Sequence, residues 1–297
     1  MTEIQNPRTA QNLLTVASVT VIALTFGWFA GAGSVAVGNF SAFFLAALMA
    51  LGINWLAFIP SAMAQADTYY DTVGAITYLS VIGFACAVSG PLDIRSVVIA
   101  AMVAVWCIRL GSFLFRRIHA MGGADSRFEK IKLSPSRFLI AWTLQALWVI
   151  LTASAAVAAI TANERVAIGV FFWIGAAIWV VGIVFETVAD NQKRAFKADA
   201  ANKGAFISTG LWAWCRHPNY FGEIALWTGI LVMAIPVLSG LSWLVAISPI
   251  FVFLLLTRIS GINLQEAQAK ARWEDDQVYQ SYRARTPALF PRPPRGV

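Results

Sequence analysis

Residues 9–66 read TAQNLLTVASVTVIALTFGWFAGAGSVAVGNFSAFFLAALMALGINWLAFIPSAMAQA, and this stretch contains no Asp, Glu, Lys or Arg. The stretches 138–163, 166–185 and 224–257 also lack all four residue types. A helix needs about 20 mainly apolar residues to cross the hydrocarbon core of a bilayer, which is about 30 Å thick. The sequence therefore predicts an all-α fold, a polytopic bundle of membrane-spanning helices.

The composition of the 297-residue chain agrees with this fold class. Hydrophobic residues make up 59% of the chain and charged residues 12%, and the mean hydropathy is +0.68. An ordinary soluble domain carries about twice that charged fraction. These values argue against a soluble enzyme, a disordered chain and a nucleic-acid-binding domain, so we expect no nucleic-acid partner.

Neither the cysteines nor the histidines form a pattern typical of a metal site. Cys86, Cys107 and Cys215 lack the close spacing of zinc ligands, and His119 and His217 lie far apart in the sequence. We therefore expect no bound metal, and we interpret the cysteines as small buried hydrophobic residues.

The apolar stretches divide into about eight predicted spans. The first stretch is too long for one helix, so we split it at Gly31–Gly38. As a single helix, 224–257 would be about 51 Å long at 1.5 Å per residue, and Pro236 lies in its middle. The predicted spans are 12–31, 40–62, 71–90, 95–117, 138–161, 166–187, 220–237 and 241–258. The alternative is a seven-span bundle that lacks the first span or merges the last two.

Three basic segments predict the orientation of the bundle. Residues 116–137, residues 190–216 and the tail after 258 each hold more Lys and Arg than Asp and Glu. With eight spans, all three lie on one side of the membrane, which the positive-inside rule assigns to the cytoplasm. Both termini then lie in the cytoplasm as well. The expected organisation is an N-terminal segment with the first span at 1–35, a membrane domain at 36–292 and a short tail at 293–297.

A stripe of charged residues follows the sixth span. Glu186, Asp190, Arg194 and Lys197 are spaced four, four and three residues apart, which places them on one face of a helix that continues the span into the cytosol. Such a stripe could bind a nucleotide, with the basic residues on its phosphates and the acidic residues on its ribose hydroxyls. A solvated helix at the membrane surface is the alternative interpretation.

A second polar group lies at the predicted start of the seventh span. Arg216 and His217 precede Pro218, a residue favoured in the first helical turn, and the N-terminus of a helix attracts anions. Asn219 and Glu223 are four residues apart and share a face. A belt of aromatic and basic residues at the membrane interface would explain Arg216 but not Asn219 or Glu223. The pattern therefore favours a functional site.

The same residues carry a resemblance to a known family. The motif RHPNYFGE at 216–223 is preceded by ETVADNQKR at 186–194 and followed by RISGI at 258–262 and by Glu266. This order of motifs resembles the DUF1295 family, which belongs to the steroid 5α-reductase C-terminal-domain superfamily. The likeness covers about residues 50–292.

The resemblance implies an NADPH-dependent membrane reductase that acts on a C=C bond of a lipid-like enone, with a steroid-like substrate as one possibility. The cofactor would enter from the cytosolic side, and the hydrophobic or lipid substrate would enter from the bilayer, among the membrane lipids. The family pattern implies that the loops after spans four and six, and the tail, close over the cofactor. It places cofactor contacts at Glu186, Asp190, Arg194, Lys197, Arg216, His217, Asn219, Tyr220, Glu223, Arg258 and Glu266.

The catalytic residues implied by the resemblance depart from the steroid reductases. Those enzymes polarise the 3-oxo group of the substrate with a glutamate and a tyrosine, and the matching positions here are Asp71 and Trp106. Because the indole donates a hydrogen bond but cannot deliver a proton, Trp106 argues against 3-oxosteroid reduction. Tyr70 or Tyr78 could substitute as the acid. Asp71 could also serve as the N-cap of the third span.

Two other classes of protein remain open from the sequence. An Arg-His-Pro-x-Tyr motif near a span also occurs in S-adenosylmethionine-dependent membrane methyltransferases of the isoprenylcysteine and phospholipid types. Phosphate discriminates between the two cofactors, because NADPH needs several cations for its pyrophosphate and 2′-phosphate, whereas S-adenosylmethionine has no phosphate. A transporter would show an internal repeat and broken helices, and only Pro236 suggests such a break.

Overall fold

The computed structural model describes residues 7–120, 122 and 128–294. The chain is 76% helical, and eight helices of the described part are long and apolar enough to cross a membrane. The predicted all-α, multi-pass membrane fold is therefore confirmed. Residues 121 and 123–127 of the predicted basic segment 116–137 lie outside the described residues, as do residues 1–6 and 295–297.

The first seven helices follow the first seven predicted spans and exceed several of them at their ends, whereas the eighth helix forms only part of the predicted span 241–258. Their bounds are α1 Pro7–Ala30, α2 Ala42–Met63, α3 Tyr70–Val88, α4 Ile94–Ala120, α5 Pro135–Thr161, α6 Val170–Ala198, α7 Pro218–Ala234, α8 Ile247–Leu254, α9 Ile262–Trp273 and α10 Gln277–Arg285. α6 continues past its apolar stretch, and α7 begins at Pro218, as the sequence predicted.

A small hairpin separates α1 from α2. Strands β1 (Ala36–Val37) and β2 (Phe40–Ser41) pair in antiparallel fashion, and the turn between them uses Gly38 at a positive φ of 62°. The hydroxyl of Ser41 then caps α2 by accepting a hydrogen bond from Phe44 N at 3.1 Å. The predicted split of the first apolar stretch at Gly31–Gly38 is therefore correct.

A second break divides the last apolar stretch. α7 ends at Ala234, and the 3₁₀ turn Ile235–Val237 carries Pro236, which cannot continue the hydrogen bonding of a helix. A 3₁₀ segment, Gly240–Ala246, then leads into α8. The stretch therefore forms two spans, and the eight-span bundle is favoured over a merged pair.

The start of α3 corrects one prediction. Tyr69 is the residue that precedes the helix, and Asp71 lies inside its first turn, so Asp71 is not the N-cap. The reason is that the chain turns earlier than expected, where Tyr70 N donates to Asp67 O at 3.0 Å.

The chain divides into two compact units. The first contains the residues up to Gly169 together with Met233–Ile247. α5 is its central helix, because 78% of the apolar window of α5 is buried and helices α1 to α4 all pack against it. Every residue of the segment ASAAVAA at 153–159 is buried, and such small side chains let neighbouring helices approach closely.

Two arginines tie together the loops at one end of the first unit. Arg95 is completely buried and donates to Val166 O at 2.9 Å and Ala167 O at 3.1 Å. Arg165 donates to Ser96 Oγ at 2.8 Å. These bonds join the start of α4 to the connection between α5 and α6.

The second unit contains Val170–Val232 and the residues from Ser248 onward. α6 and α7 lie antiparallel within it, and α9 and α10 belong to the same unit. All eleven residues predicted to contact a cofactor belong to this second unit. Asp71, Tyr70 and Trp106, predicted to be catalytic, belong to the first unit.

Candidate functional site

Glycines bring the backbones of α6 and α7 into direct contact. A Cβ atom placed on Gly222 would lie 2.6 Å from Gly182 O and 2.6 Å from Glu186 N, and one placed on Gly182 would lie 2.6 Å from Leu226 N. These separations are shorter than real Cβ atoms show, so only glycine fits at either position. The RHPNYFGE motif therefore lies directly against the part of α6 that begins the charged stripe.

The stripe on α6 becomes more exposed along the helix. Glu186 is 3% exposed, Asp190 is half-buried, and Arg194 and Lys197 are exposed. Arg194 donates to Asn191 Oδ1 at 3.1 Å, within its own helix. The stripe therefore places its carboxylates inward and its cations outward.

Glu266 organises the start of α7. Its carboxylate accepts from Arg216 Nε at 2.9 Å and lies 3.2 Å from His217 Nε2 and 3.3 Å from Arg283 Nε. We call these four residues the Glu266 cluster. One carboxylate thus links α9 and α10 to the two residues that precede α7.

Arg216 uses most of its hydrogen-bond donors within the protein. Besides its bond to Glu266, its Nη1 donates to Arg283 O and Thr286 O, both at 2.8 Å, and its backbone N–H donates to Pro287 O at 2.9 Å. This arrangement fastens the tail to the start of α7 and is typical of an organising residue.

His217 is buried beside this carboxylate. Its ring stacks on Tyr220 at 5.6 Å, and the Tyr220 hydroxyl accepts a hydrogen bond from Gln265 Nε2. Burial lowers the pKa of His217, although its bond to Glu266 acts in the opposite direction. The Glu266 carboxylate only accepts, so the neutral ring carries its proton on Nε2. Nδ1 is buried and has no hydrogen-bond partner.

The loop after α6 and the tail pack on each other. Phe206 contacts the rings of Trp273, Tyr279 and Tyr282, and the Tyr282 hydroxyl donates to Trp212 O at 2.7 Å. Burial raises the pKa of Tyr279 and Tyr282. Both tyrosines therefore serve packing.

The other candidates lie on the same two elements or at the end of α8. Asn219 and Glu223 are half-buried on one face of α7. Arg258 is exposed in the π turn Leu255–Ile259, and its carbonyl accepts from Asn263 Nδ2 at 3.2 Å. The sequence analysis missed Gln265, Arg283 and Phe206, because no spacing pattern linked these residues to the motif.

In the first unit, Tyr70 is held by three neighbours. Its hydroxyl donates to Ala141 O at 2.8 Å, and its ring packs against Phe128 and Trp142. The single hydroxyl proton is therefore engaged with the backbone of α5.

Asp71 and Trp106 have different surroundings in that unit. Asp71 Oδ2 lies 3.4 Å from Arg117 Nη2, in a partly exposed ion pair. Trp106 is buried, and its ring meets Tyr78 edge-on at 5.2 Å. Across the described ranges, no group of three His, Cys, Asp or Glu side chains could hold a metal ion.

The comparison with protein families identifies the family of the chain. Residues 57–286 match the family described as Protein of unknown function (DUF1295), and this match covers most of the chain and all eleven cofactor candidates. The chain belongs to the DUF1295 family. The motifs on either side of the α6–α7 contact lie within the matched residues.

One similar protein is an uncharacterized protein of Schizosaccharomyces pombe. It is 25% identical to this DUF1295 protein over an alignment of 225 residues, and the match covers 67% of the present chain and 64% of the relative. The chain therefore spans less than two thirds of the length of that relative. No solved structure matches the chain significantly.

Proposed function

We propose that this DUF1295 protein is an NADPH-dependent membrane reductase of a C=C bond in a lipid-like enone. One observation supports this proposal most directly: the second unit carries carboxylates and an amide on α6 and α7, together with exposed cations. The carboxylates and the amide belong to Glu186, Asp190, Glu223 and Asn219, and the cations to Arg194, Lys197 and Arg258.

The chemistry of this donor set fits NADPH. Guanidinium and ammonium groups bind phosphate oxygens. Arg194, Lys197 and Arg258 are exposed, so a phosphate in solution can reach them. Carboxylate and amide oxygens accept hydrogen bonds from ribose hydroxyls. Arg216 and Glu266 bind each other, so we assign them to organising the site. S-adenosylmethionine has no phosphate and offers a single carboxylate, which matches three exposed cations less well than the pyrophosphate and 2′-phosphate of NADPH do.

The proposed reaction adds a hydride and a proton across the C=C bond of the enone. NADPH, when bound, supplies a hydride to the β-carbon of the enone. The residues of α6 and α7 hold and orient the cofactor. A hydrogen-bond donor stabilises the negative charge that develops on the carbonyl oxygen, and a proton added at the α-carbon completes the reduction.

The proposed substrate is hydrophobic and reaches the protein from the bilayer. Eight helices of the described residues are long and apolar enough to cross a membrane, so much of the protein would face the hydrocarbon of the bilayer. An enone with a lipid-like body matches this environment, and a dry site strengthens the electrostatic interactions that assist the reaction.

Ligand-induced thermal stabilisation of the detergent-purified protein tests the proposal. A ligand that binds the native state raises its apparent stability, so we expect NADPH to raise the unfolding temperature and S-adenosylmethionine to leave it unchanged. Stabilisation by S-adenosylmethionine alone would instead make the protein a membrane methyltransferase. Turnover would then be followed as loss of NADPH absorbance with a panel of enone lipids.

Three variants test the cofactor site itself. Asp190→Ala, Asn219→Ala and Lys197→Ala should each weaken NADPH binding without lowering the unfolding temperature of the free protein. Lys270→Ala is the matched control, because Lys270 is also an exposed lysine of the second unit but pairs with Glu274 at 3.2 Å. Unchanged affinity in all three variants would show that the site lies elsewhere.

A further inference from the structure

The contact between α6 and α7 contains the same packing arrangement twice. Farther from the motif, a Cβ on Gly229 would lie 2.5 Å from Gly175 O and 2.7 Å from Trp179 N. Each glycine of α7 therefore contacts the carbonyl of a glycine on α6 and the backbone N of the residue four positions later.

The second copy of the arrangement lies seven residues away on each helix. There, Gly222 meets Gly182 O and Glu186 N, both at 2.6 Å from the position a Cβ would take, and Glu186 Cβ at 2.9 Å. A spacing of seven residues returns to nearly the same face of a helix, so the two copies are equivalent in packing.

The two copies differ in the residue four positions after the glycine of α6. Trp179 occupies that position in one copy and Glu186 in the other, and both are buried, at 7% and 3% exposed. Since an apolar ring satisfies the same packing, packing alone does not require a carboxylate. Burying an ionisable group at the membrane is costly, so such groups mark functional positions.

We propose that Gly222 is a positioning residue that holds the Glu186 carboxylate against the turn of α7 carrying Asn219 and Glu223. In that position, the carboxylate accepts hydrogen bonds from hydroxyl groups of the bound nucleotide. This inference rests on the proposed function. It assigns to Gly222 a role that Gly229, in the equivalent contact, does not have.

Gly222→Ala and Gly229→Ala form a matched pair that tests this role. Each substitution adds one methyl group to a backbone contact of the same kind, so both should lower the unfolding temperature to a similar extent. Only Gly222→Ala should also weaken NADPH binding, by about tenfold or more, because small displacements of binding groups have large effects. Gly229→Ala should bind NADPH within about twofold of the wild type.

Glu186 variants provide a test that does not depend on overpacking. Glu186→Asp withdraws the carboxylate by one methylene without adding bulk, and it should weaken NADPH binding as Gly222→Ala does. If Gly222 acts through Glu186, the double variant Gly222→Ala/Glu186→Asp should bind only slightly more weakly than either single variant, because coupled residues are not additive.

The outcomes separate this inference from the proposed function. Wild-type protein that binds no NADPH would overturn both. Wild-type binding combined with equal loss in Gly222→Ala and Gly229→Ala, or with full additivity in the double variant, would overturn the role of Gly222 alone. Unchanged NADPH affinity in Glu186→Asp would also overturn it.

Discussion

Arg216 is the residue through which the start of α7 is fastened to the tail. Its guanidinium donates to Glu266 and to the carbonyls of Arg283 and Thr286. A lysine keeps the charge but lacks the planar fork that reaches several acceptors at once. Arg216→Lys should therefore lower the free energy of unfolding by about 1–3 kcal/mol.

Denaturant unfolding of the purified protein measures this change. Arg285→Lys is the control, since Arg285 is exposed on α10 and its replacement should leave stability within about 0.5 kcal/mol. Equal stability of Arg216→Lys and the wild type would mean that the bonds of Arg216 are not the fastening described above.

His217 makes stability depend on pH in a predictable direction. Burial lowers its pKa, so the unfolded chain takes up a proton at a higher pH than the folded protein does. Proton uptake by the unfolded chain therefore lowers the free energy of unfolding. This loss is absent well above the ordinary pKa of about 6.5 and grows as the pH falls below that value. The unfolding temperature of the wild type should therefore decrease between pH 7.5 and pH 5.5.

His217→Gln should reduce this decrease. Glutamine does not titrate, and its amide can still donate to Glu266. The chain has only two histidines, and the other, His119, is exposed, so His119→Gln should keep the wild-type dependence on pH. An identical pH profile for His217→Gln and the wild type would contradict the lowered pKa.

At the scale of elements, the Arg95 contacts hold the α3–α4 and α5–α6 connections together. Arg95 is fully buried, and its two bonds reach carbonyls of the chain just before α6. Arg95 meets each carbonyl with a different Nη atom of its planar fork, and because lysine lacks this fork, Arg95→Lys should weaken at least one of the two buried bonds. We expect it to cost about 1–3 kcal/mol of stability, measured by thermal unfolding.

The neighbouring residue Glu164 supplies the comparison for Arg95. It is exposed in the same α5–α6 connection, so Glu164→Gln should leave the unfolding temperature unchanged. A comparable loss in the two variants would show that the loss in Arg95→Lys does not come from its two hydrogen bonds.

The long elements could be predicted from the sequence, whereas the contacts at their ends could not. Charge-free stretches give the spans because only helices satisfy the backbone in a bilayer, and glycine and proline give the breaks at Gly38 and Pro236. The role of Arg95 could not be predicted, because its acceptors are backbone carbonyls 71 and 72 residues away. A carbonyl carries no signal in the sequence.

The candidate site shows the same division. The motifs identified Arg216, His217 and Glu266, and all three meet in the structure. Arg283 completes the cluster but had no distinguishing pattern among the basic residues of the tail. Sequence also could not reveal that Arg216 binds the protein itself, since a free cation and a committed one have the same spacing.

At the scale of the whole molecule, the orientation in the membrane is a prediction from charge. The positive-inside rule places the segments after α4, α6 and α8 in the cytoplasm. Single cysteines at Glu164, Lys203 and Lys270, introduced after Cys86, Cys107 and Cys215 are replaced by alanine, would report the side of each loop. All three chosen positions are exposed.

Labelling intact cells with a membrane-impermeant maleimide should modify Glu164→Cys alone. Lys203→Cys and Lys270→Cys should react only after the membrane is permeabilised. α7 and α8 separate Lys203 from Lys270, so two spans return the chain to the same side, whereas a merged span would place Lys270 outside. Labelling of Lys270→Cys in intact cells would therefore favour seven spans. The opposite labelling result at all three positions would mean that the bundle has the opposite orientation. The proposed NADPH site would then lie on the side away from the cytosolic supply of that cofactor.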